Sequence, residues 1–209
     1  MKKKTKLLRQ SVLLILIAVF VMSVFAGCGA KSHKVTDKAS LTGARVGVQI
    51  GTTGDTDVTA LKHGTKVQRF DKGADAINTL KQGKIDAVVI DGEVAKAFVK
   101  QNPDLKILDE PFETEEYAGV IAKDNTGLLD KVNKAMQEIK DEGILDKLYD
   151  TYINDKGNYH YKQKVTSGKK LVMASSIDFP PYEYFDNGSS TPVGFDVEMA
   201  YAIADKLGM

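Results

Sequence analysis

The sequence has few of the residues that stabilise small disulfide-linked domains or mark nucleic-acid binding. Of its 209 residues, one is cysteine, five are proline and none is tryptophan. Because a single cysteine cannot form an intrachain disulfide, stability must come from packing or from a ligand. The first 27 residues hold five basic side chains and no acid, so the remainder has 24 basic against 28 acidic residues, a net charge of −4. A mildly acidic body without a basic cluster argues against nucleic acid as a partner.

Recognisable catalytic motifs are also absent from the sequence. The three histidines, His33, His63 and His160, lie in a predicted tether, turn and linker, without cysteine or carboxylate neighbours at metal-site spacing. There is no phosphate-binding loop, no nucleophile elbow and no zinc-binding HExxH motif. We therefore expect a binding protein rather than an enzyme, with no cofactor and no bound metal.

What the sequence does contain is an ordinary globular composition, 43% apolar and 27% charged. This composition excludes collagen-like, mucin-like and wholly disordered chains. The length allows one domain of ordinary size or two small ones.

The N-terminus has the pattern of a secretory signal. A basic start is followed by Val12–Ala26, fifteen residues that are apolar except for Ser23, which is short of the roughly 20 residues that span a bilayer. Cys28 comes directly after, in a Phe-Ala-Gly-Cys sequence that resembles the lipobox of bacterial lipoproteins, with Phe25 in place of the usual leucine. The resemblance implies a signal peptide over 1–27, a diacylglyceryl group on Cys28 that reaches the lipid bilayer, and a polar tether over 28–40. The alternative is an incidental free cysteine behind an uncleaved anchor.

The first part of the body alternates between strands and helices. Apolar runs predict strands at 45–50, 66–70, 85–90 and 105–108, and helical spacing predicts helices at 74–82 and 93–100. Such alternation indicates βαβ units and therefore an α/β fold with a parallel sheet.

The second part of the body has a different pattern. A strand is predicted at 117–122, and apolar stripes over 128–139 and 144–152 predict two helices that pack in a core. A polar linker follows over 154–169. A strand at 171–175, a turn at 186–188 and a helix from Phe195 onward complete the prediction.

Two polar features stand at the carboxyl ends of predicted parallel strands, where open α/β sheets bind ligands. The loop Gly51-Thr52-Thr53-Gly54 brings backbone N–H groups and two hydroxyls to a helix start, which suits a carboxylate. Asp91 follows another strand and suits an ammonium group, so the two could hold a free amino acid. Both features have a structural alternative, because Thr52, Thr53 and Asp91 could simply cap helices.

Three segments make this pattern recognisable. Residues 45–55 (RVGVQIGTTGD), 85–91 (IDAVVID), and 170–185 with 194–196 resemble the solute-binding proteins of polar amino-acid ABC importers. The resemblance implies a periplasmic-binding-protein-like lobe, a parallel sheet flanked by helices, that closes with a second lobe over a free amino acid and docks on an ABC permease. By position, Gly51, Thr52 and Thr53 would hold the ligand carboxylate, Asp91 its amino group, and Phe179 would stack on its side chain.

The order of these segments departs from the family, whose first lobe normally precedes the second. The implied organisation is lobe two at 41–116, a crossover strand and C-terminal-type helices at 117–153, the linker at 154–169, and an incomplete first lobe at 170–209. The family's carboxylate-clamping arginine has no counterpart among the three arginines, Arg9, Arg45 and Arg69. Two alternatives therefore stay open: a non-binding remnant or recombined fragment, and a dehydratase-like enzyme that would use Asp178 and Glu183.

Overall fold

A computed structural model describes residues 33–61, 64–186 and 188–209. The predicted signal peptide at 1–27, the lipidation site Cys28, the start of the tether and His63 lie outside the described residues. Among the helices that are described, none is both long enough and apolar enough to cross a membrane.

Three parallel strands form the sheet of the first part of the chain. They are β1 (Arg45–Gln49), β2 (Lys66–Phe70) and β3 (Ala87–Val89), in the order β2-β1-β3. The central strand β1 is the most buried, with Val46 and Val48 fully inaccessible. Helices α1 (Thr53–Ala60), α2 (Gly73–Lys81) and α3 (Gly92–Gln101) connect and flank the strands. The predicted α/β fold with a parallel sheet is thus confirmed.

A charged clamp ties the start of β1 to the start of β3. Arg45 donates to Asp86 from Nε over 2.9 Å and from Nη2 over 2.7 Å. The Asp86 carboxylate also accepts the backbone N–H groups of Arg45 and His33. These contacts, led by the Arg45 side chain, hold the pKa of Asp86 far below its ordinary value. The clamp fixes the N-terminal ends of β1 and β3, whereas the candidate binding loops follow their C-terminal ends.

Three helices share a second core. These are α4 (Thr126–Asp141), α5 (Ile144–Tyr152) and α6 (Phe195–Lys206). The two apolar stripes predicted α4 and α5, and α6 is the helix predicted from Phe195 onward. Ile139 and Leu148 are fully buried between them, against Ala202 and Ile203 of α6. Gly143, at φ 67°, ends α4 and starts α5 in the left-handed conformation that glycine adopts freely.

A small hairpin, β4 (Tyr184–Phe185) and β5 (Pro192–Val193), leads into α6. The backbone approaches closely at this point: Phe195 N donates to Pro181 O over 3.1 Å, and Asp196 N donates to Tyr182 O over 2.9 Å. Gly194 lies between them at φ 129°, and a Cβ there would overlap the carbonyl of Tyr182. The loop 179–183 is therefore held on the N-terminus of α6.

Three of the predicted strands are wrong. In the part of the chain that the structure describes, residues 105–108, 117–122 and 171–175 belong to no helix or strand. Some of their apolar side chains stay in solvent, with Val120 94% exposed and Val172 86% exposed, whereas Leu171 packs against the helical core. A strand is defined by hydrogen bonds to a neighbouring strand, and none of the described strands pairs with these segments.

The polar stretch 154–169 also contains no helix or strand, but α6 holds part of it in place. Glu198 accepts the backbone N–H of Tyr161 over 2.5 Å. About two turns further along the helix, Asp205 accepts the backbone N–H groups of Lys164 and Val165, each over 2.8 Å. Two carboxylates on one helix face thus fix this segment without regular structure.

Candidate ligand-binding site

The loop between β1 and α1 forms one side of the candidate site. Gly51 has a φ of 75°, a conformation that side-chain-bearing residues rarely adopt. The Thr52 hydroxyl accepts from Asp55 N over 3.2 Å and donates to Gln49 O over 2.8 Å. Thr52 is therefore an N-cap, as the structural alternative predicted. The backbone N–H groups of Thr53 and Gly54 have no acceptor among the described residues, so this helix start still has two donors to offer.

A partly buried ion pair supports that loop from behind. Asp55 accepts a hydrogen bond from Arg69 Nε over 3.0 Å and another from Gly51 N over 3.1 Å. The Arg69 hydrogen bond is the main reason why the pKa of Asp55 lies below its ordinary value. Arg69 is therefore engaged at the base of the loop.

Asp91 divides its carboxylate between two tasks. Oδ1 accepts from Val94 N over 2.9 Å and caps α3, and Oδ2 accepts from the Tyr117 hydroxyl over 3.0 Å. Capping therefore uses only one of the two oxygens. The second oxygen takes no part in capping, so a ligand that displaces Tyr117 could donate a hydrogen bond to it.

An aromatic cluster contributes Phe179 and Tyr117 to the site. Phe179 stacks on Tyr182 with ring centroids 5.9 Å apart, and Tyr182 contacts Tyr117 at 5.3 Å. Phe179 N also donates to Glu183 O over 2.9 Å, which fixes the turn that carries the ring.

All five residues predicted for ligand binding line one cavity of about 980 Å³, a size within the range of small-molecule pockets. The predicted residues are Gly51, Thr52, Thr53, Asp91 and Phe179. The cavity brings together loops from both parts of the chain.

The sequence analysis assigned neither Gln49 nor Glu183 to ligand binding, and it named Glu183 only for the enzyme alternative. Gln49 and Glu183 are 8% and 7% exposed, and the atoms Gln49 Oε1 and Glu183 Oε2 have no hydrogen-bond partner among the described residues. Burial raises the pKa of Glu183 to about 7, and the neighbouring Asp196 carboxylate adds to the effect. The available signal was a polar residue inside an apolar context, because Gln49 ends a buried strand and Glu183 lies between two tyrosines.

Comparison with known proteins gives a consistent result. Residues 171–209 match the family of bacterial extracellular solute-binding proteins, family 3. The chain is 31% identical over 128 residues to ABC transporter arginine-binding protein 1 of Escherichia coli K12, which covers 59% of this chain and 53% of that protein. It is 33% identical over 119 residues to a probable histidine-binding protein of Neisseria gonorrhoeae, covering 54% and 44%.

Solved structures agree with the sequence relatives. A mutant of ArgBP from T. maritima superposes with a TM-score of 0.54 at 41% identity, covering 59% of this chain and 53% of that one. An ancestral arginine-binding protein bound to glutamine gives 0.53 at 42% identity, covering 60% and 56%. The chain spans about half the length of the curated relatives it matches. The predicted resemblance to the solute-binding proteins of amino-acid ABC transporters is thereby confirmed.

Proposed function

We propose that the chain is an extracytoplasmic solute-binding lipoprotein that captures a polar amino acid for an ABC importer. The observation that carries the proposal is the cavity, which places a helix start with two unused N–H donors and a carboxylate side by side. A zwitterion presents the opposite pair of charges. The similarity to amino-acid-binding proteins of ABC transporters supports the same function.

The ligand's backbone would be held by complementary groups. Its carboxylate would accept from the Thr53 and Gly54 amides, where the helix dipole favours a negative charge. Its ammonium group would donate to Asp91 Oδ2, the oxygen that capping leaves available. The ring of Phe179 would pack against the ligand side chain.

We further propose that the side chain of the ligand carries a positive charge. Gln49 and Glu183 are buried acceptors that line the cavity and lack partners for one oxygen each, and a buried polar atom without a partner is costly. A guanidinium group offers five N–H donors to such acceptors. Several relatives and structural neighbours are named as arginine-binding proteins, which favours the same side chain.

The test is titration calorimetry of the full chain, in mild detergent, against the twenty amino acids. We expect saturable heat with L-arginine and weaker or no heat with acidic amino acids. Asp91→Asn should reduce affinity at least tenfold without lowering the melting temperature, because asparagine caps a helix as well as aspartate but a charge-assisted contact is about twice as strong as a neutral one. Asp146→Asn, on the exposed first turn of α5, is the matched control. Absence of heat across the panel would favour the non-binding remnant instead.

A further inference from the structure

The two binding features of the cavity are already in contact with side chains of the chain itself. The Thr53 hydroxyl donates a hydrogen bond to Glu115 Oε2. The Tyr117 hydroxyl donates to Asp91 Oδ2 over 3.0 Å and lies 3.3 Å from Glu115 Oε1. A carboxylate of the chain thus lies beside the helix start that is proposed to bind the ligand's carboxylate, held through the Thr53 hydroxyl. A hydroxyl donor occupies the place proposed for the ligand's ammonium group.

These internal contacts are weaker than those of an amino acid would be. The Tyr117 hydroxyl has one hydrogen and faces two carboxylates, whereas an ammonium group has three. Desolvation and the charge of Asp91 raise the pKa of Tyr117, so the hydroxyl remains a neutral donor at physiological pH. Replacing it with an ammonium group would bring a positive charge to Asp91 and strengthen that contact.

The segment that carries both side chains can move at little cost. Residues 113–117 belong to no helix or strand, Glu115 is exposed, and Tyr117 is 59% exposed. Segments with few buried contacts and no ladder hydrogen bonds open with the smallest free energies.

We propose that Glu115 and Tyr117 form an internal competitor, which occupies the amino-acid site when no ligand is bound and which the ligand must displace. This inference rests on the proposed function. Its consequence is that the measured affinity is lower than the intrinsic affinity by the fraction of molecules whose site is open. If the competitor occupies the site 90% of the time, the measured affinity falls about tenfold.

The first test measures L-arginine binding by calorimetry in the full chain and in Glu115→Gln. Removing the competing charge should tighten binding about three- to tenfold, whereas the control Glu116→Gln, which alters the adjacent exposed carboxylate, should leave the dissociation constant unchanged. Unchanged or weaker binding in Glu115→Gln overturns the proposal, and weaker binding would mean that Glu115 pairs with the ligand's ammonium group. If neither the wild type nor Glu115→Gln binds any of the twenty amino acids, the proposed function fails.

A second test needs no ligand, so it can examine the internal competitor even if no amino acid binds. The protein is labelled with tyrosine carrying 13C at Cζ, and its NMR spectrum is recorded. The Tyr117 signal is assigned by its loss in Tyr117→Phe. Tyr201→Phe is the control, because Tyr201 has no hydrogen bond among the described residues. Glu115→Gln should shift the Tyr117 signal, because its carboxylate lies against that hydroxyl. L-Arginine added to the wild type should shift the same signal. A Tyr117 signal that is unaffected by Glu115→Gln would refute the internal contact.

Discussion

Replacing Glu183 with glutamine should make the protein more stable at pH 8 and leave it nearly unchanged at pH 4.5. Burial raises the pKa of this carboxyl group from 4.5 to about 7, so between these values the native state holds a proton that the unfolded state has released. The free energy of unfolding therefore falls as pH rises through this window. At about 1.4 kcal/mol per pKa unit, the wild type loses roughly 3 kcal/mol of stability by pH 8. Glutamine has a similar shape and no charge, so Glu183→Gln avoids the loss.

Thermal unfolding followed by circular dichroism from pH 4.5 to pH 8 measures this effect. A difference of about 3 kcal/mol corresponds to a melting temperature roughly 6–12 °C higher for Glu183→Gln at pH 8. The control Glu116→Gln should follow the wild type at every pH. Asp55 and Asp86 do not interfere, because their lowered pKa values place their titration below this window. Burial also raises the pKa of Asp196, which contacts Glu183, so Asp196→Asn is measured alongside to separate the two carboxyl groups. Parallel curves for Glu183→Gln and the wild type would refute the assignment of a protonated, buried carboxyl group.

Three further changes test the fold and the anchor. Asp86→Asn removes the charge that Arg45 binds and should cost about 3–5 kcal/mol, seen as a lower midpoint in urea unfolding. Gly194→Ala places a Cβ against the carbonyl of Tyr182 and should release the loop before α6, which limited proteolysis of that loop would detect. Cys28→Ser should leave unprocessed precursor or release protein into the medium; processing and membrane retention like those of the wild type would contradict lipidation.

The sequence predicted helices and strands correctly where the packing or pairing partner lies nearby in the sequence. Helices α2, α3, α4 and α5 have periodic apolar faces. Strands β1, β2 and β3 are joined by one helix each, so each strand finds its partner close by in the sequence. The predicted strands at 117–122 and 171–175 had equally apolar sequences. Their failure shows that an apolar run indicates the ability to pair, whereas pairing itself depends on a second segment at the right place.

The site residues that could be predicted are likewise those next to regular elements. Gly51, Thr52 and Asp91 stand directly after strands, where topology alone puts them at one edge of the sheet. Glu115 and Tyr117 could not be found in this way, because they lie on a segment without regular structure and reach the site through side-chain contacts. Thr52 and Asp91 both cap helices, as the alternative predicted. Capping by Asp91 uses only Oδ1, so Oδ2 remains able to bind a ligand.

The arginines of the described chain lead to a last prediction about affinity. Arg45 is paired with Asp86 and Arg69 with Asp55, and neither lines the cavity. At the start of α1, the carboxylate of a bound amino acid would therefore meet backbone amides and hydroxyls instead of an arginine. Loss of a charged partner for a buried carboxylate costs about 2–5 kcal/mol, so most of the remaining affinity for arginine should come from its ammonium and guanidinium groups. Agmatine, which is arginine without its carboxylate, should then bind within about tenfold of L-arginine. A loss of a hundredfold or more would show that the amides at the start of α1 bind the carboxylate strongly without an arginine.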